Sequence, residues 1–274
     1  MADQDLLSAL QNDALVRSLV PRCRFPAGDA EPWCAVSGGA DSTALALLSV
    51  AGGHVVGLVH VDHGLRDGSF GEAELVQLLA ERLGANFLAK RVHVGLGPNL
   101  EERARLARYA VLPTNVWTGH TADDLAETVL INLLRGAGPD GVASMARTKF
   151  AGPRRPLLGL RRSETVALCG RLGVAAVVDP MNDDPSFGRV RVRHEVVPLL
   201  NDVAGRDVAA LLARHAEITA ADVALLDELS ADIDPSARWG LRGVPAPLAT
   251  RAIRRWLLAS GVGDGRTVNA ASVD

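Results

Sequence analysis

The sequence predicts an α/β fold: a doubly wound, mostly parallel sheet followed by a smaller all-helical unit. Three observations carry that reading. Short apolar runs alternate with helical patterns between residues 33 and 178. A glycine-rich turn, Ser37-Gly38-Gly39-Ala40-Asp41-Ser42, joins the first apolar run to a helix. From Arg189 onward the patterns are helical throughout. Strands and helices in alternation pack as a parallel sheet with helices on both faces.

Taken in order, Leu6 to Val20 predicts one amphipathic lead-in helix, and Pro21 to Pro32 a loop of Pro, Gly and Asp. Trp33 to Val36 is a buried strand, and Thr43 to Val50 a run of good helix formers. His54 to Val61 is a second buried strand. Glu72 to Leu83 is a helix stopped by Gly84, and Asn86 to Val94 a third strand. Asn99 to Leu112 is helical, with Asn99 as N-cap and Glu102 three residues on, roughly a capping box. Val116 to Thr118 is a short strand, and Thr121 or Asp123 caps the helix that runs to Leu134. Arg155 to Leu158 is expected to be an edge segment and Glu164 to Leu172 a helix. Ala175 to Val178 is expected to be a strand. The helical remainder breaks near Gly205, Asp234-Pro235 and Pro245 to Pro247. A boundary near 200 divides a larger α/β unit, 1–200, from a helical accessory unit, 201–274.

The chain has 274 residues, of which 48% are hydrophobic, ample for a core. No apolar run approaches ~18 residues, so no membrane span is expected. The acidic start is no signal peptide. Cys23, Cys34 and Cys169 are odd in number and far apart. They read as buried or idle thiols of a cytoplasmic protein. The net charge of −3 does not point to a nucleic-acid binder, but its distribution does. Residues 147–193 carry 10 Lys+Arg against 4 Asp+Glu, between two acidic blocks. Such a block is a candidate footprint for a phosphate backbone. A solvated, arginine-rich surface is the other reading of the same composition.

A glycine-rich turn between strand and helix leaves backbone N–H groups at the helix N-terminus, where they can hold an anion. Gly38 and Gly39 let the backbone approach the ligand, and Ser37 and Ser42 add hydroxyl donors. Asp41 adds a carboxylate that could hold Mg²⁺ against phosphate. The turn lacks the lysine of a Walker A loop, the spacing of the dinucleotide fingerprint and the elbow of the serine hydrolases. His60 and Asp62 share one face at the end of their strand by alternation. His120, Asp124 and Glu127 open a helix and can face one surface. Arg105 sits on the Asn99–Leu112 helix pattern. Arg189, Arg191 and Arg193 follow the acidic turn Asp179 to Asp184.

The turn resembles the SGGxDS loop of the ATP-pyrophosphatases, enzymes that cleave ATP between its α and β phosphates. Five motifs in order narrow the resemblance to the tRNA(Ile)-lysidine synthase family, with its PP-loop fold: Ser37 to Ser42, His60 to Arg66, Asn99 to Tyr109, His120 to Gly138, and Asp179 to Leu200. The resemblance implies an ATP-dependent ligase. ATP activates C2 of the wobble cytidine in the CAU anticodon of tRNA(Ile) as an adenylate, and free L-lysine displaces AMP. Ser37 to Ser42, with His60 and Asp62, would bind ATP, and Asp41 would hold Mg²⁺. Arg105 would neutralise the α-phosphate. Asp124 and Glu127 would bind the lysine ammonium, with His120 as a contact to the reacting nucleotide or as a base. Arg189, Arg191 and Arg193 would meet tRNA phosphate.

Three departures from the family pattern stand out. Only 10 residues separate Tyr109 from His120, fewer than the family usually has. Val190 stands where asparagine is usual. The chain stops at residue 274, as a short natural form or a truncated one, and weaker tRNA affinity than in longer relatives is expected. A homodimer is left open. So are two other functions: a PP-loop enzyme that thiolates or amidates, and a non-catalytic module that binds nucleotide or tRNA.

Overall fold

The computed structural model describes residues 2–28, 31–62, 70–92, 100–114, 116–147, 152–177, 184 and 186–262. Strands β1 (Trp33–Ala35), β2 (Gly57–Asp62), β3 (Asn86–Arg91) and β4 (Trp117–Thr118) form one sheet in the order β3-β2-β1-β4. All three pairings are parallel. Each strand is therefore joined to its neighbour through helical connections, as the alternating patterns require.

The helices α1 (Gln4–Asn12), α2 (Ala14–Leu19), α3 (Ala40–Ala51), α4 (Phe70–Leu83), α5 (Leu100–Val111), α6 (Ala122–Leu134), α7 (Pro139–Ala143) and α8 (Arg162–Arg171) accompany the sheet. The expected lead-in helix is two helices. Asp13 ends α1 and caps α2, its carboxylate accepting from Leu15 N at 2.7 Å and Val16 N at 3.3 Å. Asp13 also pairs with Arg171 on α8, which fixes the break against the body of the fold. The main core lies between the sheet and α1 to α4 and α8, around Leu19, Leu45, Leu47, Leu48, Leu58 and Trp117, all almost fully buried.

Two expected edge elements take other forms. Pro156–Gly159 is a 3₁₀ turn, and only Arg154 bridges to Trp117 in parallel. The segment 174–177 is not a strand. Its last residue, Val177, instead lies against the glycine-rich loop, with Val177 N donating to Gly38 O at 2.9 Å. Residue 178 and the Asp179–Asp183 part of the acidic turn lie outside the described residues, as do residues 63–69 after β2 and 93–99.

Beyond residue 187 the described chain is helical. It comprises α9 (Gly188–Arg191), a π-helical turn at Val192–Val196, α10 (Val197–Ala204), α11 (Val208–Leu229) and α12 (Ala246–Ala259). Gly205, at φ 60°, ends α10 in the left-handed region that glycine tolerates. Helix α11 packs on α6 and α7, and Ala213 and Ala216 share a second apolar cluster with Leu125, Val129 and Val142. Among the described residues no helix is long and apolar enough to cross a membrane.

Candidate functional site

The site begins where β1 ends. Val36 N donates to Val59 O at 2.9 Å, and the chain then turns through Ser37, Gly38 and Gly39 into α3. Gly38 has φ 90°, which an L side chain rarely adopts, and a Cβ there would meet Val177 Cγ2 at 3.1 Å. Gly39 is the N-cap of α3 and carries no side-chain cap. The two hydroxyls brace the turn: Ser42 Oγ accepts from Ser37 N at 3.1 Å, lies 3.2 Å from Ser37 Oγ and donates to Gly39 O at 2.9 Å. The helix N-terminus thus carries a fixed partial positive charge over a loop that glycine keeps open.

The neighbouring strand brings the second half of the site against this loop. A Cβ on Gly119 would lie 2.5 Å from the Asp41 carbonyl oxygen. Only glycine lets the end of β4 approach the first turn of α3 so closely. The following helix, α6, then starts beside Asp41. Asp124 caps it from inside, Oδ2 accepting from Thr121 N at 2.9 Å and Thr121 Oγ1 at 3.1 Å. Glu127, one turn further, is 1% exposed.

Three arginines meet these three carboxylates. Arg162, the first residue of α8, donates from Nε to Asp41 at 3.2 Å, from Nη1 to Glu127 at 3.0 Å and from Nη2 to Asp124 at 2.9 Å. Arg189 reaches Glu127 at 2.7 Å and Asp124 at 3.2 Å. Arg193 reaches both oxygens of Glu127, at 2.7 and 3.2 Å. Thr165 Oγ1 donates to Asp41 Oδ1. The formal charges balance within a largely buried cluster. This is the condition under which buried ions are tolerable.

The electrostatics follow from those contacts. Burial raises the Asp124 carboxyl, but His120, Arg162 and Arg189 outweigh it and hold the group at about 2. Burial likewise opposes ionisation of Glu127, and Arg193, Arg162 and Arg189 still bring it below the usual range. Asp41 goes the other way. Burial, reinforced by nearby Asp124, lifts it despite Thr165 and Arg162. Arg162 itself is held charged: burial disfavours the cation, and Asp124, Glu127 and Asp41 overcome that.

His120 Nδ1 lies 2.9 Å from Thr118 Oγ1, which also lies 3.1 Å from the Arg154 carbonyl. With the hydroxyl proton given to that carbonyl, Thr118 accepts from His120 Nδ1–H. The network then assigns Nε2 as the basic nitrogen.

The sequence-predicted residues fall into groups. Ser37 to Ser42 form one loop, and Asp41, Asp124 and Glu127 converge on Arg162. His60, expected at the nucleotide, is instead 2% exposed within β2, its Nδ1 3.0 Å from the Val36 carbonyl. It steadies the residue before the loop. Asp62 ends β2, with Arg91 at 3.5 Å. Arg105 lies on α5, and its side chain is outside the described residues. Arg189 and Arg193, expected at tRNA phosphate, are turned onto Glu127. They lie four residues apart and so face the same way, whereas Arg191 points outward and pairs with Glu195 at 2.9 Å. Sequence reasoning missed Arg162 and Thr165. The available signal was Arg161-Arg162 at a helix start, where cations oppose the dipole and therefore need another reason to be there.

No group of three or more His, Cys, Asp or Glu side chains among the described residues could hold a metal ion. A single carboxylate, Asp41, suits Mg²⁺, which binds through one or two carboxylates plus phosphates. Burial pushes the thiols of Cys34 and Cys23 up to about 12 and that of Cys169, beside Ala40, to about 11. None is poised as a thiolate.

Residues 14–200 match the PP-loop domain family. The tRNA(Ile)-lysidine synthase of Nocardia farcinica is 44% identical over 241 residues, 83% of this chain and 75% of that protein. That of Salinispora arenicola is 40% identical over 278 residues, covering 92% and 84%. Among solved structures, the U34-tRNA thiolase NcsA from Methanococcus maripaludis shares the fold. Its TM-score is 0.58 at 18% identity, covering 87% of this chain and 88% of that one.

Proposed function

From the premise that this chain belongs to the tRNA(Ile)-lysidine synthase family of PP-loop proteins, we propose that it joins free L-lysine to C2 of the wobble cytidine in a CAU-anticodon tRNA(Ile), at the expense of ATP. One observation carries the reading to particular residues: a single guanidinium, Arg162, links the PP-loop carboxylate Asp41 to the buried acidic pair Asp124 and Glu127. An anion site and an ammonium site are thereby adjacent, as the two half-reactions require.

In the first half-reaction the cytidine O2 attacks the α-phosphorus and pyrophosphate leaves. The loop from Ser37 to Ser42 would hold the leaving group still, through backbone N–H groups and two hydroxyls. Asp41 would hold Mg²⁺, which when bound neutralises phosphate oxygens. Arg105 would meet the α-phosphate, an assignment that comes from the family resemblance. In the second half-reaction the lysine ε-amine attacks C2 and AMP leaves. Asp124 and Glu127 would hold the incoming ammonium. His120 would contact the reacting nucleotide, and its Nε2 would be the base if a side chain takes the amine's proton before attack. A wobble base is single-stranded and can be splayed into such a site. The helices after residue 200 and the outward Arg191 would meet tRNA. The buried, unreactive thiols support a cytoplasmic setting and weigh against cysteine-based sulfur transfer.

The test is lysine transfer. The chain is incubated with labelled lysine, ATP, Mg²⁺ and CAU-anticodon tRNA(Ile), beside a tRNA with the wobble C replaced. Label in the first tRNA alone supports the reading. Nucleotide turnover driven by ammonia or a sulfur donor instead of lysine would favour another PP-loop reaction, and no turnover with any of them a binding module.

A further inference from the structure

Two carboxylates of the cluster have no acceptor position left. A carboxylate offers about four lone-pair sites. Glu127 Oε1 accepts from Arg162 and Arg193, and Oε2 from Arg189 and Arg193. Asp124 Oδ1 accepts from Arg162 and Arg189, and Oδ2 from the N–H and hydroxyl of Thr121. An ammonium can bind there only if a donor leaves. Adding it without such a loss would also put an uncompensated positive charge into a buried, balanced cluster, which is costly.

The contacts single out the donor. Arg193 does not touch Asp124, and Arg189 is tied further by the Asp124 backbone carbonyl at 3.2 Å. Arg162 alone touches Asp124, Glu127 and a residue of the PP-loop, Asp41. Its withdrawal opens one site on each carboxylate at once. Its backbone is held while its side chain moves. Arg162 N donates to Asp123 at 2.8 Å, and the neighbouring Arg161 side chain binds Asp123 and Asp207.

We propose that Arg162 is a positioning residue that changes partners. When a polyphosphate occupies the PP-loop, its guanidinium turns to phosphate and vacates acceptors on Asp124 and Glu127 for the lysine ammonium. ATP and lysine then bind with positive linkage, each tightening the other by the same factor. The inference rests on Asp124 and Glu127 being the lysine site.

Equilibrium dialysis of labelled L-lysine against the full chain, with and without Mg²⁺ and α,β-methylene-ATP, tests it without turnover. The expected result is that the analogue tightens lysine about ten-fold, and lysine tightens the analogue equally. In Arg162→Gln the linkage disappears, and lysine binds similarly with or without analogue. Arg162→Lys, which keeps the charge but not the three-way fork, retains part of it. Lysine binding in the native chain that is indifferent to the analogue overturns the partner exchange and leaves the lysine site standing. Full linkage in Arg162→Gln does the same. Failure of lysine to bind even beside bound analogue overturns the Asp124 and Glu127 assignment, and this inference with it. The reciprocal measurement on the native chain decides the matter if the variants do not fold.

Discussion

Replacing Asp124 by Asn removes one charge from a buried, balanced cluster while keeping the shape of the side chain. Two arguments set the cost. The folded carboxyl is held at about 2 against 3.8 ordinarily, with His120, Arg162 and Arg189 outweighing burial. That difference is worth about 2 kcal/mol at neutral pH. Geometry gives a second, larger measure of the same loss. An Asn oxygen can still accept from Thr121, but its NH₂ then faces Arg162 and Arg189, donor against donor. Removing one partner of a buried ion pair typically costs about 3–5 kcal/mol. The expected loss in Asp124→Asn at pH 7 is therefore about 2–5 kcal/mol, the charge linkage setting the lower end and the broken pairing the upper. The sign of the pH dependence follows from the folded value being the lower one. The charge-linked stabilisation is complete above the unfolded value and vanishes as pH falls through the folded one. At about pH 3 it should have shrunk to roughly half. Urea unfolding of both proteins at pH 7 and pH 3 reads the gap and its change, a change that includes the release of Asp41 and Glu127 from repulsion by Asp124. A gap below about 0.5 kcal/mol at pH 7, the range of ordinary surface changes, would refute the reasoning. So would a gap that is the same at both pH values.

Gly38→Ala should lower stability by about 1–2 kcal/mol, because φ is 90° there, and weaken binding of a nucleotide analogue. Thermal unfolding with and without analogue checks both. Gly119→Ala drives a methyl into the Asp41 carbonyl and should cost at least about 1–3 kcal/mol, with nucleotide binding lost from whatever remains folded. Arg191→Ala should leave the unfolding midpoint unchanged, since Arg191 is an exposed partner of Glu195. The slope of log K for tRNA binding against log salt should become shallower by about 1 if Arg191 meets a phosphate. An unchanged slope removes it from the RNA-binding surface.

The sheet and its nucleotide loop were legible because they depend on local signals. An apolar run, a Gly-Gly turn and a helix-forming stretch each speak for themselves, and alternation supplies the rest. The ends of elements were less legible. Leu6 to Val20 has continuous helical periodicity, yet Asp13 interrupts it by capping the second half and binding Arg171, 158 residues away. Ala175 to Val177 has strand composition, but its partner is the glycine-rich loop rather than a strand edge. In the site, the carboxylates were legible from their spacing on one helix face. Their partners were not. Arg162 acts from the start of another helix, and nothing local records that Asp41, Asp124 and Glu127 converge there. The inward turn of Arg189 and Arg193 had a signal, their four-residue spacing, which separates them from Arg191 between them.

The contact between Gly119 and the Asp41 carbonyl has a mechanical consequence. With no side chain between them, the start of α3 and the end of β4 already lie at backbone contact, so neither can press closer to the other. The phosphate loop and the His120 corner thus share one wall of the site, with the paired strands β1 and β4 behind it. The parts of the site with room to rearrange are the long side chains of Arg162 on α8 and Arg189 on α9. One surface serves as the anvil, and the strokes are delivered by side chains.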